Sequence, residues 1–289
     1  MLADALSFLR FGQLKKFLLA RRAAKLSARG NALFYDKIPH QLQPMYQKDR
    51  ALIDHFPLHL YHIVKLDRLG SFHIDSFDDL IKNQLMTGIL WEEQIGQLIH
   101  LYAIPGTVAI DVGAHIGTHT LTMANAVGKK GRVYSFEPQR KLYSELCWNM
   151  ALNNANNVFP MRLALGKKTD CIRLIQPFPN NEGATFAVPD SPQEDSSLQL
   201  KLDDFNLTNL SLIKIDVENM EADVIKGAVK TIRRCRPVLI VEIQGNSACS
   251  LYLKKDCLQS ALATVKKILS LHYTVHHLNG CDFLCLPIS

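Results

Sequence analysis

The residues best suited to chemistry are two acids that are associated with short apolar runs. Asp111 lies inside the run 108–112, which leads into a turn that contains Gly113 and Gly117. Glu137 follows the next apolar run, twenty residues after Gly117. In Rossmann-type units an acid at about this distance from a glycine turn hydrogen-bonds the ribose hydroxyls of a nucleotide cofactor. The spacing therefore predicts a nucleotide-cofactor site that includes these two acids and both glycines.

The number of glycines in this turn decides between cofactors. A dinucleotide fold uses Gly-x-Gly-x-x-Gly to hold a pyrophosphate against the N-terminus of a helix. The turn here has glycines only at 113 and 117, and such a turn suits a ligand without phosphate, most commonly S-adenosylmethionine. The sequence therefore predicts S-adenosylmethionine, and a nicotinamide-dependent oxidoreductase is the weaker alternative.

A second group of acids follows a later apolar run that ends near Val217. Asp216 and Glu218 are two residues apart, so a continuous strand would place both on one face. We expect Asp216 to contact the cofactor or the acceptor, and Glu218 or Glu221 to contact the acceptor or take its proton. The first turn of a helix also favours acids, which explains Glu218 and Glu221 without any chemistry. A metal ion could also bind oxygen ligands here, but no further ligand cluster supports it, so no metal is expected.

Three other residues are candidates for the same site. His115, inside the glycine turn, is a candidate for both cofactor binding and proton transfer. His119 is a rival base, although a helix would carry it away from the turn. Ala164, after a third apolar run, would leave room for the adenine, and core packing predicts the same small residue. The polar stretch 177–197 is expected to be a loop near the site, where it could contact a polyol.

These residues lie in an alternation of apolar runs and helix-like segments. Such an alternation is typical of a parallel sheet that is covered on both faces. Ligands of such sheets bind beyond the carboxyl ends of the strands. Asp111, Glu137, Asp216 and Glu242 lie at or near such ends, so we expect four acids to converge on one crevice.

The two ends of the chain differ from this alternation. At the C-terminus, Asn279-Gly280 between two extended runs predicts a type I′ hairpin. At the N-terminus, residues 1–30 contain seven Lys or Arg residues and one acid, while the other 259 residues balance at 26 of each. We expect residues 1–85 to form a basic, helical extension and residues 86–289 to form the α/β domain.

Five short blocks in order give this chain a family resemblance. They are Ile110–Gly117, Phe136-Glu137-Pro138, Asn149 with Asn153-Asn154, Ile213–Glu218, and Arg236-Pro237 with Val241-Glu242. Over roughly residues 86–245 the chain resembles the FkbM-type methyltransferases. The resemblance implies a class I Rossmann-like fold with a mostly parallel seven-stranded sheet and a C-terminal antiparallel hairpin. It also implies S-adenosylmethionine-dependent O-methylation of a sugar, polysaccharide, glycolipid or polyketide-type acceptor.

Two positions depart from the family pattern. His115 stands where the family usually has Asn, and Asn219 stands where it usually has Gly. Either ring nitrogen of a histidine can still hydrogen-bond a ligand, and Asn tolerates a left-handed backbone better than most residues. The alternative to an active enzyme is a copy of the fold that binds the cofactor or a partner without turnover.

Composition limits the partners. The chain has 289 residues, 47% of them hydrophobic and 21% charged, which suffices for one full domain and an extension. A domain without net charge argues against nucleic acid as a partner. The scattered cysteines predict free thiols in a reducing compartment. We therefore expect a cytoplasmic protein that acts on a small molecule or a glycan, with peripheral membrane contact through the basic N-terminal segment as an added expectation.

Overall fold

The fold was analysed in a computed structural model, which describes residues 2–33, 35–38, 53, 55–75, 79–189, 196–244 and 257–288, with side chains from residue 15 onward. Among the helices in these ranges, none combines the length and the hydropathy that a membrane span requires.

A seven-stranded sheet forms the centre of the molecule. Its strands are β3 (Val108–Val112), β4 (Arg132–Phe136), β5 (Val158–Met161), β10 (Leu210–Ile215), β11 (Val238–Glu242), β12 (Tyr273–His277) and β13 (Asp282–Pro287). They lie in the order β12-β13-β11-β10-β3-β4-β5. Neighbours from β11 to β5 pair in parallel, and β13 is antiparallel to both β11 and β12. The prediction of an α/β fold with a mostly parallel sheet is confirmed.

The apolar strands are buried because helices cover both faces of this sheet. The helices after the N-terminal region are α3 (Glu93–Tyr102), α4 (Thr118–Val127), α5 (Arg140–Leu152), α6 (Glu221–Lys226), α7 (Val229–Cys235) and α8 (Cys257–Leu269). Successive strand residues point to opposite faces. Leu212 accordingly packs in one core cluster, and Ile213 packs in the other.

A second, four-stranded sheet was not predicted. It contains β6 (Leu163–Leu165), β7 (Asp170–Ile175), β8 (Phe186–Pro189) and β9 (Ser197–Leu200) in the order β6-β9-β7-β8. The stretch 177–197, expected to be a loop, thus contains β8 and the start of β9, and residues 190–195 lie outside the described ranges. Its polar composition hid the short run Phe186–Pro189.

The N-terminal region is helical only in part. Helix α1 (Leu2–Ala32) and helix α2 (Leu80–Met86) agree with the expected helical extension. Between them, β1 (Tyr61–Leu66) and β2 (Gly70–Asp75) form an antiparallel hairpin, so the prediction is wrong for these residues. Neither strand alternates strictly between buried and exposed residues, so no period of two marked them in the sequence. The predicted boundary at 85/86 falls inside α2, and the division into two domains stays a prediction.

The hairpin is attached to α5 through two of the asparagines that carry the family resemblance. The Asn149 side chain accepts a hydrogen bond from the His73 backbone at 2.7 Å and donates one to the carbonyl of Ile116 at 3.0 Å. Asn153 exchanges two hydrogen bonds with the Ser71 backbone, at 2.8 and 2.6 Å. Both side chains therefore hold the hairpin against the α/β body.

Helix α1 lies against the far edge of the sheet. A Cβ atom at Gly30 would lie 1.8 Å from the carbonyl oxygen of Pro160 in β5, so the close approach requires glycine. Arg29 donates to the Asn156 carbonyl at 2.8 Å. Phe17 and Leu18 are more than half exposed. The membrane contact expected for this segment stays a prediction.

The C-terminal hairpin pairs as expected but turns differently. Asp282 donates its N–H to the carbonyl of Asn279 at 2.8 Å. Gly280 has φ +49, whereas Asn279 does not have a positive φ. A type I′ turn needs positive φ at both central residues, so this part of the prediction is wrong.

Candidate active site

A cavity of about 270 Å³ opens beyond the carboxyl ends of the parallel strands. The residues that line it come from the strand ends, from the second sheet and from the N-terminal region. They include Leu80, Ile81, Glu92, Gly113, His115, Glu137, Gln139, Ala164, Asn181, Gly183, Thr185, Asp216, Glu218, Glu242 and Gln244. The prediction that acids converge at this edge holds for Glu137, Asp216 and Glu242.

The glycine turn brings two strand ends together. Gly113 has φ +85, and a Cβ atom there would lie 1.8 Å from the carbonyl oxygen of Asp216. Gly117 has φ +95 and begins α4, where a Cβ atom would lie 2.6 Å from the Leu146 side chain. Gly117 is not among the described residues that line the cavity, and its predicted cofactor contact stays a prediction. Both glycines are needed because protein atoms approach them closely.

Glu137 lies at the cavity with its carboxylate held by backbone amides. One oxygen accepts a hydrogen bond from the His115 N–H at 2.9 Å, and the other accepts one from the Gln139 N–H at 2.8 Å. Each carboxylate oxygen has a second lone pair available for a ligand hydroxyl. Burial raises the pKa of Glu137 to about 7, against the lowering effect of these two hydrogen bonds. The geometry suits recognition of a diol.

His115 faces the cavity from a left-handed backbone with φ +50. Its two ring nitrogens are buried and lack a hydrogen-bond partner among the described residues. Burial lowers its pKa to about 4, so the ring is neutral at pH 7. A neutral imidazole offers one donor and one acceptor to a ligand. The structure thus places His115 where cofactor contact was predicted.

Asp111 lies behind the cavity wall instead of in it. It is buried and accepts a hydrogen bond from the Thr120 hydroxyl at 2.5 Å. In the parallel register Asp111 is opposite Lys214, another buried charge. Its predicted cofactor contact stays a prediction.

Lys214 was missed by sequence reasoning. Its ammonium lies 2.8 Å from the Asp216 carboxylate, and Asp111 and Glu92 are near enough to raise its pKa further. The signal was available, because a lysine inside the apolar strand β10 must be paired when it is buried. Lys214 supplies the positive charge that allows several acids to gather at one sheet edge.

Asp216 and Glu242 form a carboxyl pair at the ends of adjacent strands. Lys214 holds the pKa of Asp216 low despite its burial. Burial and the nearby Asp216 carboxylate raise the pKa of Glu242, which therefore keeps its proton. Gln244 donates to Glu242 at 3.0 Å. The pair thus presents one negative charge and one proton to the cavity at neutral pH.

Glu218 and Glu221, two rival candidates for proton transfer, have different surroundings. Glu218 lines the cavity from a backbone with φ +50, and burial followed by the nearby Asp216 charge raises its pKa to about 8. Glu221 is 2% exposed and is not part of the described lining; its carboxylate accepts from the Asn219 N–H at 2.9 Å. Glu221 therefore matches the alternative of an acid in the first helical turn. Asn219 has φ +72, a left-handed conformation that asparagine tolerates better than most residues.

The remaining candidates are divided between the cavity and its surroundings. Ala164 and Asn181 line the cavity. His119 instead lies 2.9 Å from Glu92, a cavity acid that sequence reasoning missed. No group of three metal-ligating side chains occurs in the ranges the structure describes.

A Rossmann-like sheet with a glycine turn and an acid at the end of the next strand is typical of proteins that bind nucleoside cofactors. Residues 111–252 match the family described as Methyltransferase FkbM domain. This chain therefore carries an FkbM-type methyltransferase domain, which confirms the resemblance seen in the sequence. The prediction of S-adenosylmethionine as the cofactor is confirmed at the level of this family.

Individual relatives are distant. Hexuronic acid methyltransferase AglP from Haloferax volcanii is 23% identical over 178 residues, which are 59% of this chain and 69% of AglP. The methyltransferase FkbM structure from Methylobacillus flagellatus is 18% identical with a TM-score of 0.42. The matched region is 71% of this chain and 52% of the FkbM structure. The O-methyltransferase TomG from Streptomyces achromogenes is 12% identical with a TM-score of 0.45, and the matched region is 72% of this chain and 87% of TomG. This chain thus spans about half the length of the FkbM structure.

Proposed function

We propose that this protein transfers a methyl group to a hydroxyl oxygen of a neutral carbohydrate unit. The observation that carries the proposal is the cavity itself, where Glu137 lies with Asp216, Glu218 and Glu242 at the ends of adjacent strands. Its relative AglP acts on a hexuronic acid, as its name states, which favours a sugar as the acceptor.

The cavity fits S-adenosylmethionine. Glu137 has free lone pairs for the ribose hydroxyls, and the unpartnered nitrogens of His115 offer further polar contacts. Ala164 with its apolar neighbours gives the adenine a flat, nonpolar surface. The ionised Asp216 favours a ligand with a positive charge.

Charge restricts the acceptor. Five acids line the cavity, and none of the lining residues described is Lys or Arg. Lys214, which lies on the strand before Asp216, is already paired with that acid. Asp216 stays ionised among these acids, so a hexuronate bound here would bring a second negative charge next to it, and like charges at short range are unfavourable. We therefore expect neutral glycosides to be better acceptors than hexuronates.

Glu218 is the proton acceptor in this proposal. When bound, S-adenosylmethionine supplies a methyl group that bonds to the acceptor oxygen as the carbon–sulfur bond breaks, its electron pair staying on sulfur. The hydroxyl proton passes to the Glu218 carboxylate. The raised pKa of Glu218 makes it a stronger base than an exposed carboxylate, and the positive charge of bound S-adenosylmethionine would favour its ionised form. Asp216, with its low pKa, stays ionised throughout.

The experiment is a methyl-transfer assay by mass spectrometry on a panel of matched neutral glycosides and hexuronates. Glu218→Gln should lower kcat by about 100-fold or more and leave S-adenosylmethionine affinity within about threefold. Glu221→Gln, the comparison variant, should act mainly on stability. Binding of S-adenosylmethionine without methylation of any panel member would favour the non-catalytic alternative, and unchanged kcat in Glu218→Gln would remove its assigned role.

A further inference from the structure

Two segments that are far apart in sequence form one side of the cavity. Leu80 and Ile81 come from the start of α2, which lies outside the matched family region. Asn181, Gly183 and Thr185 come from the connection before β8. We call these five residues the outer wall. The two segments lie close together, since a Cβ atom at Gly183 would be 3.7 Å from the Ile81 side chain.

A buried lysine lies directly behind the outer wall. Lys82 is 1% exposed, and its ammonium lies 2.6 Å from Glu182, 3.0 Å from Asp75 and 3.0 Å from Glu145. These partners belong to the connection before β8, to the hairpin and to α5. Lys82 and Glu182 are also the immediate neighbours of wall residues in sequence. The same short segments thus face the cavity with some residues and the charge cluster with others.

Asp79 joins the two segments through their backbones. One oxygen of its carboxylate accepts from the N–H of Lys82 at 3.0 Å, and the other accepts from the N–H of Glu182 at 2.9 Å. Asp79 is fully buried. Displacement of either segment would therefore leave buried polar groups without partners.

The outer wall is further linked to the diol-reading acid. The Gln139 side chain donates to the Glu182 carbonyl at 2.9 Å, and the backbone N–H of Gln139 donates to Glu137 at 2.8 Å. A continuous chain of contacts therefore runs from Lys82 through Glu182 and Gln139 to Glu137. Its members are buried or half-buried, so water competes weakly for these contacts.

We propose that Lys82 is a positioning residue for the nucleoside site: it fixes the outer wall and, through Glu182 and Gln139, the carboxylate of Glu137. The inference rests on the proposed use of this cavity for S-adenosylmethionine. It makes the N-terminal region part of the active site, since Asp75, Asp79 and Lys82 all precede the matched family domain. The ligand is recognised by the domain, and the N-terminal region closes one side around it.

The test is calorimetric titration of the full chain with S-adenosylhomocysteine. Lys82→Met should raise Kd about tenfold or more. Lys141→Met is the matched control, because Lys141 contacts the same three carboxylates at 2.7 to 3.2 Å but is 42% exposed and lies outside the described cavity lining. It should change Kd by less than about threefold.

A second readout separates positioning from general stability. Amide hydrogen exchange in residues 181–187 should slow when S-adenosylhomocysteine binds to the wild type, and this protection should be lost in Lys82→Met. If Lys82→Met does not fold, Asp79→Asn takes its place in the same titration and exchange measurements. One amide oxygen cannot replace the two carboxylate oxygens that join the two segments, so the same losses are expected.

The outcomes separate the two proposals. Absence of binding to the folded wild type would overturn the proposed function itself. Binding to the wild type with an unchanged Kd and unchanged protection in folded Lys82→Met would overturn only the role of Lys82. An equal loss in Lys141→Met would also overturn it, because the effect would then belong to cluster charge alone.

Discussion

The cavity has two sides that are built in different ways. The inner side consists of strand ends and their turns, with Gly113, Glu137, Asp216 and Glu242 contributed by consecutive units of one sheet. The outer wall joins α2 to the connection before β8, about a hundred residues later. Local motifs can therefore specify the chemistry of a ligand site, while segments that are distant in sequence complete its cavity.

The largest effect is expected from the glycine turn of the inner side. Gly113→Ala places a Cβ atom 1.8 Å from the Asp216 carbonyl oxygen, at a φ of +85. We expect the free energy of unfolding to fall by about 4 kcal/mol or more in urea denaturation. Gly106→Ala is the matched control, because φ is +81 there and no atom lies within 4 Å of the added Cβ. It should lose only about 1–2 kcal/mol. Equal losses would show that backbone strain, not strand contact, matters.

The buried lysines of the two sides should differ in the next experiment. Lys214→Met leaves Asp216 without its contacting cation, and we expect a loss of about 3–5 kcal/mol in urea denaturation. Lys82→Met should lose less, because Lys141 still contacts its three carboxylates. Lys226 pairs with Asp223, and the lysine side chain is about half exposed, so Lys226→Met should lose less than about 1 kcal/mol. A greater loss in Lys82→Met than in Lys214→Met would reverse the comparison.

A smaller effect tests the long-range attachment of the N-terminal hairpin to α5. The Tyr61 hydroxyl donates to Glu145 at 2.7 Å, across 84 residues of sequence. Removing a hydrogen bond to a charged group costs about 1.5–3 kcal/mol, so Tyr61→Phe should lose about this much stability. Amide hydrogen exchange should rise in residues 61–75 and leave the parallel strands unchanged. Uniform acceleration across the sheet would mean that the hairpin and the body unfold as one unit.

The pH dependence of stability should come largely from the inner side. The folded-state pKa of Glu137 is raised to about 7 and that of Glu218 to about 8, against an ordinary value near 4.5. The folded chain therefore holds more protons than the unfolded chain between pH 4.5 and 8, so these groups make stability fall as pH rises. In urea denaturation from pH 5 to 8, Glu218→Gln should show a flatter decline than the wild type. Identical slopes would contradict the raised pKa of Glu218.

The residues of the two sides of the cavity were not equally predictable from the sequence. It identified Glu137, Asp216 and Glu242 as converging acids, because the carboxyl ends of parallel strands meet at one edge of a sheet. The cofactor contacts expected for Asp111 and Gly117 stay predictions, and the sequence did not show that Asp111 lies beside Lys214 or that Leu146 packs against Gly117. The role of a residue next to a motif depends on which neighbours other strands bring to it.

The sequence by itself determined the α/β class, the glycine turn and the spacing to Glu137, because each depends on residues within about thirty positions of one another. Only the tertiary structure decided that Glu218, not Glu221, faces the cavity, since one turn of backbone with positive φ separates their surroundings. It also decided that Lys82 and Glu182 meet in the interior. Pairing of two charges a hundred residues apart leaves no periodic signal in either segment, because burial created by the folded chain determines which charges must meet.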